Sequence, residues 1–266
     1  MKPLITLCLL IGAALTSTAE NLPSISHVNA EPIAIVVPIP PEDEYFAASV
    51  ATNLTTNLCE RFLAIQTLSK NTASHLDVLR ILTRDPKLDI QIMAAESLFP
   101  IDPAIASSTA KDAIRTLSAH TPESPTANFY GFRAAALLAK LNDPSGFDFV
   151  ENRLHNSPFV IEKESALGCL PEFRRFPELP VANSIIRFIK ATLPDLKQEG
   201  SKESLEADRL LAGAFDALYR LQAVETLSQL KEWEPNLPPK TQWILQYYMR
   251  GLETYKNMDK FNEITP

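Results

Sequence analysis

The chain of 266 residues is 45% hydrophobic, enough apolar material for a sizeable core in one or two domains. Seven glycines against 21 prolines leave little for phosphate-cradling loops or tight hairpins, and a net charge of −7 disfavours nucleic acid and anionic lipid surfaces. Prolines this frequent, outside low-complexity runs, suit many short helices that each need a stop.

The chain opens with Met1-Lys2-Pro3, an apolar run from Leu4 to Leu15, and Thr16-Ser17-Thr18-Ala19 before Glu20. This order of a basic start, a short apolar core and a small-residue end predicts a signal peptide over residues 1–19. The core is about a dozen residues against the roughly 20 needed to span a bilayer, and no later stretch is long and apolar enough to be transmembrane. The expected address is therefore export, periplasmic or secreted, with no integral membrane segment after signal removal. Removing the leader takes away Lys2 and no acid, which changes the charge from −7 to −8. Residues 20–41 hold five prolines and the run Ile33-Ala34-Ile35-Val36-Val37-Pro38-Ile39-Pro40-Pro41, which predicts an extended, polyproline-like arm. Such an arm lies either along the protein's own first helices or against a partner.

From Glu42 the pattern becomes helical and stays so to residue 258. Phe46, Val50, Leu54, Leu58, Phe62 and Ile65 follow at helical spacing, predicting one helix from Glu42 to about Lys70. Asn53-Leu54-Thr55 matches the glycosylation acceptor pattern but falls inside that helix, so it reads as chance. A helix over 74–83 ends at Asp85-Pro86, and Asp89 is the expected cap of the helix carrying Ala94 and Leu98. Residues 104–119 form the next, and a loop with Pro122 and Pro125 leads to the helix that holds Ala134 and Leu138 and ends at Asp143-Pro144. Phe147, Val150 and Leu154 mark another. Ser157-Pro158 opens one that carries Ala166 and Leu170, and residues 181–193 form the next. Pro194 to Lys202 reads as a polar, flexible connection. Two closing segments over 203–232 and 238–258 precede a tail at 259–266.

The same triplet recurs along this region: Leu58, Phe62, Ile65; Ala94, Leu98, Ile101; Ala134, Leu138, Leu141; Ala166, Leu170, Phe173; Ala214, Leu218, Leu221; and Tyr248, Leu252, Tyr255. The steps are 36, 40, 32, 48 and 34 residues, straddling the roughly 40 to 47 of HEAT and armadillo units and the 34 of tetratricopeptides. Four consecutive copies begin with alanine, a small residue that lets neighbouring helices approach closely. Ala94-Ala95, Leu98, Ile101 and Asp102, and again Ala134-Ala135, Leu138, Leu141 and Asp143, resemble the HEAT-like repeat family, although Gln91 and Gly131 stand where its pattern has arginine. The resemblance implies an all-α fold over residues 42–258: a right-handed α-solenoid of about six antiparallel helical pairs, a class of scaffold that holds other proteins.

Catalytic patterns are missing from the sequence. His27, His75, His120 and His155 are far apart, no Cys-x-x-Cys or His-x-x-x-His pairing occurs, and no Walker loop or nucleophile elbow is found. His155 is expected to cap a helix C-terminus, Arg174-Arg175 to lie at a solvated helix end, and Glu162, Glu164, Glu203 and Glu206 to open helices where the dipole favours acids. No cofactor, metal or catalytic residue is assigned. Aromatics concentrate late, at Trp233, Trp243, Tyr247, Tyr248 and Tyr255. Tyr247 and Tyr248 are adjacent and cannot share one helix face, so one of them, with Arg250, is the expected partner-binding site. Cys59 and Cys169 fall in separate helical units about three layers apart, which predicts two free thiols that fill small apolar spaces. The expected function is an exported, non-catalytic scaffold for an unknown protein partner. The alternatives are an enzyme on a helical scaffold, as in the HEAT-like bilin lyases, and a structural protein of the cell envelope.

Overall fold

A computed structural model of the chain describes residues 44–119, 128–197 and 201–264. The leader, at 1–19, and the arm, at 20–41, lie outside these residues. Among the described residues the fold is all-helical, without a strand. Twelve α-helices follow one another: α1 (Glu44–Thr52), α2 (Leu58–Ser69), α3 (Leu76–Leu82), α4 (Leu88–Leu98), α5 (Pro103–Ala119), α6 (Phe129–Lys140), α7 (Phe147–Asn156), α8 (Val160–Cys169), α9 (Val181–Thr192), α10 (Lys202–Leu221), α11 (Leu227–Trp233) and α12 (Pro239–Ile264). Short 3₁₀ turns, such as Leu170–Arg175 and Leu193–Lys197, join several of them.

Packing follows chain order. Each even-numbered helix packs on the odd one before it, and from α2 to α12 each even helix also packs on the next even one. The triplets sit at these helices. Ala94, Ala134, Ala166 and Ala214 are fully buried, and so are Leu98, Leu138, Leu170 and Leu218 four positions on. In these four copies the third member falls at or beyond the helix end, Ile101 being exposed and Phe173 fully buried. Alanine removes the side-chain bulk between adjacent helices, while the leucine one turn later fills the layer; a methylene change at either is felt in a close-packed core.

The three Asp-Pro stops share one device. Asp85 accepts from the Lys87 amide at 2.9 Å and pairs with Arg61; Asp102 accepts from the Ile105 amide at 3.3 Å and pairs with Arg80 at 2.7 Å; Asp143 accepts from the Ser145 amide at 3.0 Å and pairs with Lys111 at 2.7 Å. Proline cannot supply the next amide, so the carboxylate before it satisfies a later one, and a cation from an earlier helix anchors the turn. Asp102 is held below the usual carboxylate range, chiefly by its hydrogen bond from Arg80. Burial acts to raise Asp143, but the bonds from Lys111 and Ser145 outweigh it and its pKa is also lowered.

Four expectations are corrected. The helix expected from Glu42 to Lys70 is broken at residues 53–57: the Asn53 side chain accepts from the Thr55 amide and hydroxyl, and Asn57 caps α2 by accepting from the Glu60 amide at 2.9 Å. Short polar side chains here compete with the helical ladder and win. The acceptor pattern at Asn53 therefore lies in an exposed turn. Asp89 is not the cap of α4; Lys87 is the cap residue, and Asp89 sits in the first turn. The stretch after Pro194 is not wholly a polar loop, since Leu193–Lys197 is a 3₁₀ turn with Leu196 buried in the core. Helix α12 runs on to Ile264, through residues first read as tail.

Candidate functional site

Helix α12 has two faces set by its period of 3.6 residues. Thr241, Leu245, Met249 and Leu252 are buried against α10 and α11. The opposite stripe is Trp243, Tyr247, Arg250, Thr254 and Met258, with Trp243 68% and Tyr247 64% exposed. The two adjacent tyrosines divide as geometry requires. Tyr248 is half-buried and meets the Tyr219 ring at 5.9 Å between centroids, and Tyr219 in turn meets Tyr255 at 5.4 Å. Tyr247 stands outside this cluster, edge-on to Tyr248 at 5.2 Å. A hydrogen bond with Tyr255 raises the Tyr219 pKa; burial, then nearby Asp216, raises that of Tyr248.

Arg250 shares the outer stripe with Tyr247, and how the other arginines are used gives this weight. Of twelve arginines, ten hold a carboxylate, an amide oxygen or a backbone carbonyl. Arg84 and Arg250 have no such partner among the described residues. An unpaired guanidinium beside an exposed Trp and Tyr combines the three side chains that dominate protein interfaces. Lys240 lies on the same side, and no acidic side chain is among Trp243, Tyr247, Arg250, Thr254 and Met258.

Arg84 lies in the second surface feature, a groove of about 850 Å³ between α3 and α5. Asp77, Arg80, Ile81 and Arg84 line one wall and Ile105, Ser108, Thr109 and Asp112 the other, each set on one helical face. A smaller groove of about 490 Å³ is walled by Trp233, Pro194, Pro235 and Pro238, with Lys190 over the indole at 6.0 Å. Neither groove was visible to sequence reasoning, because each joins helices whose spacing is fixed only by packing.

The other polar residues singled out have structural places. His155 does not cap its helix: its Nε2 lies 3.0 Å from the Ser184 hydroxyl and 3.1 Å from Arg187, and burial followed by Arg187 lowers its pKa. Glu162 sits in the first turn of α8, as expected, and is buried there; it accepts from the Asn128 side-chain amide at 2.5 Å and the Ser157 hydroxyl at 2.7 Å, tying the start of α6 to the start of α8. Glu164 pairs with Arg209 and Glu206 with Lys202. Arg174 and Arg175 bond to Gln222 and to the Lys140 carbonyl. Cys59 and Cys169 are free. Cys59 is exposed and so fills no core space, whereas Cys169 is buried, donates to the Phe132 carbonyl at 3.4 Å, and has its thiol pushed up to about 12 by burial. Among the described residues no three His, Cys, Asp or Glu side chains gather as a metal site would need, and no helix is long and apolar enough to cross a membrane.

No family model, curated protein or solved structure matches the chain.

Proposed function

We propose that the chain is an exported, non-catalytic interaction protein, a HEAT-like right-handed solenoid of six helical pairs whose last helix carries the partner-binding face. The observation that carries this reading is Arg250, unpaired among the described residues, in line with exposed Trp243 and Tyr247 on a helix already buried along its other side. The unbroken packing of even helices from α2 to α12, with buried alanines at matching positions, supports the repeat reading. In this arrangement Tyr247 and Arg250 make the contact and Tyr248 positions them from beneath, through its packing on Tyr219.

Affinity capture from the native host tests the face. Trp243→Ala with Tyr247→Ala should abolish recovery of the partner while helix content by circular dichroism stays unchanged; recovery undiminished by the pair refutes the assignment. Export is tested by intact mass. A mature chain beginning at Glu20 is expected, and a soluble cytoplasmic product that retains Met1 to Ala19 overturns it.

A further inference from the structure

We infer that Asn53 is the attachment site of an N-linked glycan, the turn between α1 and α2 presenting its side-chain amide to the glycosyl donor. The inference rests on the reading of the chain as exported, because asparagine glycosylation modifies the surface loops of secreted proteins.

Among the asparagines of the chain, Asn53 alone has Ser or Thr two positions on, with Leu54 and not proline between them. Inside a helix the pattern would be chance, but no helix runs there: α1 ends at Thr52 and α2 begins at Leu58. Thr52, Asn53, Leu54 and Thr55 are all exposed, Leu54 at 64%, so no core side chain shields the amide. The Thr55 backbone amide and the Thr55 hydroxyl both donate to Asn53 Oδ1, at 3.0 and 2.8 Å. A backbone N–H can only donate, so it fixes which way the side chain faces. The oxygen turns toward Thr55 and Nδ2 turns away, without a partner among the described residues. Asn57, four positions on, shows the plainer arrangement, since its side chain accepts only from the Glu60 amide that it caps.

This geometry suits the chemistry of glycosyl transfer. An amide nitrogen is a weak nucleophile because its lone pair is delocalised onto the oxygen. As Nδ2 gives up a proton, negative charge gathers on Oδ1, where two donors already point. Donors preorganised at an atom that gains charge lower the barrier. The co-substrate is an oligosaccharide joined through its anomeric carbon to a lipid diphosphate. Nδ2 forms a bond to that carbon and the carbon–oxygen bond to the diphosphate breaks. The electron pair leaves on the diphosphate, and the Nδ2 proton passes to a base of the transferring enzyme.

Tandem mass spectrometry of the protein from its native host tests this. No Lys or Arg lies between Glu20 and Glu60, so trypsin yields one peptide that ends at Arg61 and reports both the mature N-terminus and Asn53. That peptide should begin at Glu20 and carry sugar mass on Asn53. Asn53→Asp keeps an oxygen for both Thr55 donors but lacks the nitrogen, and Thr55→Val keeps the backbone bond but lacks the hydroxyl. Each should lose the added mass completely, with helix content by circular dichroism unchanged, and Thr55→Ser should retain it. A peptide that begins at Glu20 without sugar, or sugar that persists in Asn53→Asp or Thr55→Val, overturns the inference while export stands. A peptide that still carries the leader overturns export, and the inference with it.

Discussion

Asp85, Asp102 and Asp143 each put a carboxylate on a backbone amide beyond the following proline and on a cation from an earlier helix. They differ in burial, and so in consequence. The Arg61–Asp85 pair is nearly enclosed, at 2% and 4% side-chain exposure, and Arg61 also bonds the Ala51 carbonyl at the end of α1. Asp85→Asn leaves that guanidinium buried without its counter-charge, which should cost about 3 kcal/mol in urea unfolding. Asp102 and Asp143 act through pH. Their folded pKa values lie below the unfolded value, which is about 3.9, so their contribution is present above that value and lost as pH falls through the folded one. The melting temperature should therefore drop below about pH 4, and less steeply in the Asp102→Asn, Asp143→Asn variant. The stops were legible because Asp-Pro is a local signal. Their partners were not, nor was the burial of Glu162, since Asn128 lies 34 positions away and nothing local marks the two as neighbours.

At the scale of the helix, the pattern of small and large residues placed the elements, while irregular positions decided their edges. The apolar spacing from Phe46 to Ile65 runs unbroken through the turn at Asn53–Asn57, so periodicity alone joined α1 to α2; the side-chain bonds of the two asparagines are what separate them. Gly131 is set by close packing. A Cβ there would drive into the Phe149 ring and come within 2.8 Å of Leu117. Gly146 is tighter still in kind, because a Cβ would lie 2.7 Å from the Ala135 backbone, which cannot rotate away as a side chain can. Gly146→Val should therefore destabilise by about 1–3 kcal/mol through overpacking of the 3₁₀ turn on α6. Chemical denaturation checks it, with Gly168→Ala as the control, since a Cβ at Gly168 meets nothing within 4 Å. An effect equal to the control would mean that α6 and the turn before α7 give way freely.

Among the described residues the buried apolar side chains gather chiefly in three clusters. One gathers α1 to α4, from Ala47 to Leu98; a second, from Ile92 to Leu138, joins α4 to α6; the third and largest runs from Leu117 to Leu252. Because helices pack on near neighbours in chain order, the packing among the described residues leads from the first cluster to the third through α4 to α6. Where each helix packs chiefly on its near neighbours, separate parts of the core are expected to open separately. Leu79 is fully buried in the first cluster, and Leu79→Ala should cost about 2–5 kcal/mol there. Cys169 is a reporter in the third: buried, bonded to the Phe132 carbonyl and held protonated, it reacts only when its surroundings open. In Leu79→Ala, hydrogen exchange should accelerate across α1 to α4 while alkylation of Cys169, followed by mass, keeps its original rate. Cys59, already exposed, should label at once in both proteins and so serves as the internal standard. Faster exchange in α8 to α10 together with faster Cys169 labelling, both by the factor seen in α1 to α4, would mean that the clusters open as one cooperative unit. That outcome would make α4 to α6 a rigid coupler and not the point of separation.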